Sequence, residues 1–215
     1  MPNTTTYLSE PDTLTLDIFF ADERPDLAAL YCAGQTESLR RYPGALAARA
    51  EHLDGACVVL ARDRRGQAHG GMRVHLHRPD APLPIEHALG DLCPIRAAIE
   101  RAPAPLVELA GTWISAEYQR SDLAVAVTRA TLAVARALGA RRIIGCAHQH
   151  VLAFYRRFGA VVDASLGVHP YPDPRYETRV FWADATICPD GQDAIDACVA
   201  RIQRGEPLHF TRHAA

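Results

Sequence analysis

Residues 106–147 constrain the fold more than any other stretch. A run of strand composition, 106–115 (LVELAGTWIS), enters a short polar loop and then a long helical segment over 122–138, closed by Gly139. A second apolar run, 142–147 (RIIGCA), follows almost at once. Joints this short leave one arrangement, a right-handed βαβ unit whose two strands lie parallel. The helical segment is apolar around most of its circumference, and its polar side chains Asp122, Arg129 and Arg136 recur at intervals of seven. That spacing predicts one narrow wet stripe on a helix otherwise packed against a sheet. Gly139 suits the helix C-terminus.

The flanks read as further elements of the same sheet. Residues 13–21 (TLTLDIFFA), 56–63 (ACVVLARD), 69–77 (HGGMRVHLH), 160–167 and 175–184 have strand character. The second and third are joined by Arg64-Arg65-Gly66, which predicts an antiparallel hairpin. Helical spacing covers 26–41 after Pro25, 45–53, 85–101, 151–158 and 190–203. The first twelve residues are polar and expected to be loose. No repeat or linker interrupts the chain. The expected architecture is one α/β (α+β) domain over 1–215. It has a mixed, mostly antiparallel sheet, a central parallel βαβ unit and flanking helices, with 190–215 forming a C-terminal helix and tail. That last helix, with Ile195, Val199 and Ile202, is expected to cover the sheet or to meet a second subunit in a homodimer.

Composition excludes several function classes. The chain has 215 residues and a net charge of -2, with 48% hydrophobic and 22% charged residues. That is one domain's worth of core, without the positive field needed to coat nucleic acid or anionic lipid. No apolar run reaches the ~20 residues of a membrane span. The first 22 residues lack the pattern of a secretory leader, so a cytoplasmic location is expected. Every one of the 23 basic residues is arginine. Without lysine there is no Schiff-base amine and no P-loop ammonium. The six cysteines contain no C-x-x-C pair and read as free thiols. His75/His77 and Cys146/His148/His150 alternate as ligands on a strand do, but no fourth ligand stands at a telling distance, so no metal is expected.

The chemistry concentrates around the βαβ unit. Where residues 115–124 (SAEYQRSDLA) turn into the helix, free backbone N–H groups and the positive dipole end offer a seat for phosphate. Glu108 is an acid inside a buried strand, and such a carboxyl has a raised pKa suited to taking a proton from an attacking amine, directly or through water. Arg73 is its candidate ion-pair partner. Glu108 and Ile114, six apart, share a strand face if no bulge intervenes.

This stretch resembles the GNAT acyltransferases. Gln119, Asp122 and Ala124 fall on that family's Gln/Arg-x-x-Gly-x-Gly/Ala pattern, and Tyr118 matches the aromatic before it. Phe154, Tyr155 and Gly159 match its later Phe-Tyr-x-x-x-Gly segment. The similarity spans about 56–184. It implies an acyl thioester co-substrate whose pantetheine arm lies where two strands part, beside Trp113 and Cys146. Backbone groups of Ile114, Ser115 and Ala116 would hold the arm, and a strand N–H near Ile114 the thioester carbonyl. The N–H groups of Gln119, Arg120, Ser121, Asp122, Leu123 and Ala124 would hold phosphate. Tyr155 would protonate the leaving thiolate, and His148, in the place of a frequent asparagine, would line the groove. Asp122 replaces the first glycine of the pattern. A carboxylate there repels a pyrophosphate, and it also suits a helix start capped by Ser121.

Gly70-Gly71-Met72-Arg73, the Pro-rich excursion before residue 106, and Glu108 are shared with the autoinducer synthases and long-chain N-acyl amino acid synthases. Gly111, however, stands where autoinducer synthases commonly carry an arginine. The resemblance implies a fatty acyl donor on acyl carrier protein, which presents one phosphodiester and no 3′-phosphorylated ADP. The acceptor is then an amino acid or similar small amine, met near Arg73 and Trp113. Arg120, Arg129, Arg136, Arg141, Arg142, Arg156 and Arg157 would face an acidic carrier protein, or simply form a solvated surface. An acetyl-coenzyme A-dependent N-acetyltransferase and a non-catalytic ligand sensor are the alternatives.

Overall fold

A computed structural model describes residues 13–40, 42, 49–89 and 93–212. Its centre is an eight-stranded sheet in the order β6-β7-β5-β4-β3-β2-β1-β8. The strands are β1 (Thr13–Phe20), β2 (Ala56–Arg62), β3 (Ala68–Leu76), β4 (Leu106–Ile114), β5 (Arg142–His148), β6 (Val161–Val162), β7 (Thr178–Asp184) and β8 (Leu208–Thr211). β4 and β5 pair in parallel, and every other pairing is antiparallel. β2 is buried along nearly its whole length, as a strand covered on both faces requires.

Helices cover both faces. On one lie α1 (Pro25–Leu39), α2 (Pro84–Ala88) and α3 (Cys93–Arg101), over Ala56, Val58, Leu60, Leu106 and Ile144. On the other lies α4 (Leu123–Ala137), over Val59, Met72, Val74, Val107 and Leu109. α5 (Leu152–Arg156) follows β5, and α6 (Gln192–Gln203) packs on α4. Among the described residues no helix is long and apolar enough to cross a membrane.

Several expectations change. The segment 85–101 forms two helices; Pro94 fits a first helical turn but would break an interior. Of 45–53, a single 3-10 turn at Ala50–Leu53 is seen, and the part before residue 49 lies outside the described residues. The strand expected over 160–167 shrinks to β6. Asp163 accepts from the Ser165 N–H at 3.0 Å and starts a turn at Ala164–Leu166. Within the expected tail, Leu208–Thr211 form β8, which pairs with β1.

The stripe on α4 is exposed at Asp122 but covered at Arg129 and Arg136. Arg136 bonds Asp196 at 2.7 Å and Gln192 at 3.0 Å, and Arg129 reaches Asp190 at 3.2 Å. α6 and its leading loop cover these arginines with acids, and Ile195 enters the core.

Candidate acyl-transfer site

β4 and β5 pair over three rungs only: Leu106–Arg142, Val107–Ile143 and Glu108–Ile144. Above Glu108 they part. β4 stays on β3 through Ile114, and β5 stays on β7 through His148. The cause is a β-bulge. Gly71 faces Trp113 and Arg73 faces Ala110, so β4 carries one extra residue over that interval. Gly111 takes the bulge conformation, φ +65°, where side chains are strained. Its carbonyl accepts from the Tyr31 hydroxyl at 2.5 Å and from the Gln35 amide at 2.7 Å. One turn further along α1, Ser38 donates to the Ile114 carbonyl at 3.0 Å. Tyr31, Gln35 and Ser38 share one helix face, so α1 supplies the splayed half of β4 with partners that a neighbouring strand does not. The sequence marks Tyr31 only as part of the apolar helix face, and it gives Gln35 and Ser38 no role. Hydroxyl and amide side chains at positions i, i+4 and i+7 on one face of the helix were the signal available.

The bulge also overturns the shared face of Glu108 and Ile114. It inverts the alternation, so Glu108 lies under α2 while Ile114 packs on the α4 side, close to Gly70 and Leu123. Ser115 donates its N–H to the His69 carbonyl at 2.8 Å, which turns the Ile114 N–H toward the opening. With the Ile114 carbonyl and the Ser115 N–H engaged, that N–H is the group of this pair left for an arm. Ala116 is exposed at the start of the following 3-10 turn.

Glu108 is 2% exposed and accepts from the Ile85 N–H at 2.9 Å. Burial pushes its pKa up to about 8, against the Ile85 hydrogen bond and the Arg73 charge. Opposite it on β3, burial drives His75 down to about 3, so the imidazole is neutral. Arg73 forms no ion pair with Glu108 among the described residues. Its Nε and Nη1 are buried without hydrogen-bond partners.

Tyr155 enters from the other face. Its hydroxyl meets the Thr112 hydroxyl at 3.0 Å, and its ring stacks on Phe181. Burial raises its pKa, keeping the phenol protonated. His148 ends β5, with Nδ1 at 2.9 Å from the Thr178 hydroxyl and its ring stacked on Tyr176. Trp113 is 4% exposed and packs against Tyr31 and Gly34, so it is a core residue rather than an acceptor contact.

At the helix start, Ser121 donates to the Tyr118 carbonyl at 2.7 Å and accepts from the Leu123 N–H at 3.2 Å. The Ser121 N–H also goes to Tyr118. Two of the six expected phosphate donors are therefore engaged within the protein. Gln119, Arg120 and Asp122 are exposed there, as is Glu117, and Ala124 is half-buried in the first turn of α4. Asp122 sits at the α4 N-cap with no side-chain capping bond. Among the arginines expected to face a carrier, Arg129 and Arg157 both pair with Asp190, and Arg136 pairs with Asp196. Two shallow clefts, of about 390 Å³ beside Arg136 and Arg141 and about 300 Å³ beside β1 and β8, lie away from the slot.

No family model matches the chain. An uncharacterized protein of Mycobacterium tuberculosis is 34% identical over 137 residues, 61% of this chain and 52% of its own length. The chain thus spans about half the length of the curated relatives it matches. Among solved structures, FeeM, an N-acyl amino acid synthase from uncultured soil microbes, superposes with a TM-score of 0.60 at 14% identity, covering 82% of this chain and 92% of its own. BjaI, a coenzyme A-dependent acyl-homoserine lactone synthase with isopentyl-CoA, gives 0.59 at 15% identity, covering 91% of each chain. A protein of Desulfovibrio desulfuricans placed in the GNAT acetyltransferase family gives 0.56 at 14%, covering 80% of this chain and 99% of its own. The chain therefore has the GNAT acyltransferase fold, in the form that N-acyl amino acid and acyl-homoserine lactone synthases share.

Proposed function

We propose that this protein transfers an acyl group from a pantetheine thioester to the amine of a small molecule. The observation that carries the reading is the parting of β4 and β5 above the Glu108–Ile144 rung, with the Tyr155 hydroxyl held at Thr112 in the gap. A slender thioester fits such a slot, and the Ile114 N–H meets its arm. The sulfur comes to rest near Tyr155, whose protonated phenol supplies the leaving thiolate with a proton. Glu108, at the foot of the slot, takes a proton from the amine side through water. Holding both reactants in one narrow gap supplies much of the rate.

Acyl carrier protein is the favoured donor. The helix start that would meet a coenzyme A pyrophosphate carries two exposed carboxylates, Glu117 and Asp122, which repel it. A carrier protein brings a single phosphodiester and leaves the ADP portion of the cradle unused. The two buried, unpartnered nitrogens of Arg73 favour an acceptor with a carboxylate beside its amine, hence an amino acid.

The test is a turnover panel. Acyl carrier protein loaded with a long acyl chain, the matching acyl-coenzyme A and acetyl-coenzyme A are each offered with a set of amino acids and simple amines. Amide formation from the carrier-bound chain supports the reading. Preference for acetyl-coenzyme A replaces the donor, and no amide from any pair removes the reading.

A further inference from the structure

The hydrogen bonds around His148 determine which of its nitrogens carries the proton. Thr178 has one hydroxyl hydrogen, and it goes to the Tyr171 carbonyl at 2.6 Å. Toward His148 Nδ1, 2.9 Å away, the same oxygen accepts, so Nδ1 is the protonated nitrogen. Burial, followed by the neighbouring His150, lowers the His148 pKa and keeps the ring neutral, which leaves Nε2 with a bare lone pair. β5 lies between β7 and β4. With Nδ1 turned to Thr178 on β7, the diverging Nε2 faces the side from which β4 has peeled away.

His148 also stands at the right height. Four residues carry β5 from Ile144 to His148, about 13 Å, and four carry β4 from Glu108 to Thr112, a shorter rise because the bulge falls between them. Thr112 is where the Tyr155 hydroxyl sits. His148 shares a sheet face with Cys146 and Ile144, under which Glu108 also lies, whereas Tyr155 approaches from the other face. Glu108 is one such span lower and closed in by Ile85.

Resting on the acyl-transfer reading, we propose that His148 Nε2 is the base that deprotonates the incoming ammonium, with Thr178 as the positioning residue that fixes its tautomer. The ammonium gives one proton to Nε2, and its freed lone pair forms the bond to the thioester carbon. The adduct gives a second proton toward Glu108, the C–S bond breaks, and the thiolate takes the Tyr155 proton. Tyr155 regains a proton from water, and Glu108 and His148 each release one to water, so one proton leaves per amide formed. The titratable groups set around His148 are His150 and Tyr176 beside its ring, Tyr171 through Thr178, Cys146 one step down the strand face, and Arg73 and Glu108 below.

Two measurements test this. Long-range proton–nitrogen spectra of the free protein show His148 as the Nδ1–H tautomer, and Thr178→Val shifts it toward Nε2–H. His148→Asn, which still bonds Thr178 but takes up no proton, lowers kcat about 10²–10³-fold and reduces the acid limb of the pH–rate profile from two titrating groups to the one of Glu108. Its KM for the acyl donor is unchanged. An Nε2–H tautomer in the native protein overturns the proposal, as does a His148→Asn variant that keeps native kcat and both acid-limb titrations. A native protein that acylates no amine removes the underlying reading instead.

Discussion

Glu108 faces Ile144 in the last rung that joins β4 to β5, and the bulge at Gly111 begins three residues later. A carboxyl with a raised pKa is thus fixed at the last rung before β4 and β5 part. The gap exists because α1 takes the carbonyl that the bulge turns out of the ladder.

Gly111→Ala tests that cause. A Cβ there would lie 2.5 Å from the Tyr31 hydroxyl and 2.9 Å from the Gln35 amide, at a φ of +65°. The strained backbone and the displaced hydrogen bonds destabilise the fold by about 2–4 kcal/mol. A lowered Tm with loss of turnover is expected. Tyr31→Phe, which removes one hydrogen bond without a clash, costs about 1 kcal/mol and gives a milder loss.

Glu108→Gln abolishes most turnover while donor affinity persists. Its stability has a distinct pH signature. The native carboxyl, with a folded pKa of about 8 against about 4.3 unfolded, favours folding while protonated in both states. That contribution is full below the unfolded value and is lost as pH rises through 8. Thermal melts from pH 5 to pH 9 show the native protein weakening more than Glu108→Gln over this window. Parallel curves contradict the burial assigned to this group.

Tyr155→Phe removes the proton donor but keeps the stack on Phe181. Turnover falls about 10²-fold, while stability changes by about 1 kcal/mol for the lost Thr112 bond. A thioester with a more acidic leaving thiol restores part of the rate in this variant, and unchanged turnover rules out the acid role.

Asp122→Gly combined with Glu117→Gln removes both exposed carboxylates near the phosphate seat. Calorimetry is expected to find tighter coenzyme A binding, with a weaker salt dependence of the difference at high ionic strength. Equal affinities for native and variant proteins mean that these acids point away from the ligand.

The βαβ unit was legible because its strand and helix periods change abruptly at short joints, and Glu108 stood out as an acid in a buried run. Three parts of the site were hidden for physical reasons. The bulge depends on one glycine and on side chains 76 to 80 residues away in sequence, so local periodicity placed Ile114 on the wrong face. Trp113 read as an acceptor contact, but α1 covers it through Gly34. Arg129 and Arg136 of the α4 stripe read as solvated because their acidic partners, Asp190 and Asp196, come from the far end of the chain. Thr178, which fixes the His148 tautomer, gives no local signal at all.

The most direct test titrates a non-hydrolysable acyl-pantetheine, the portion common to both candidate donors, into isotope-labelled protein. Occupation of the slot moves the backbone amide resonances of Thr112 to Ser115 and of Ala147 and His148 together, with a single affinity. Perturbations confined to other surfaces, with those amides unmoved at saturating ligand, contradict the account.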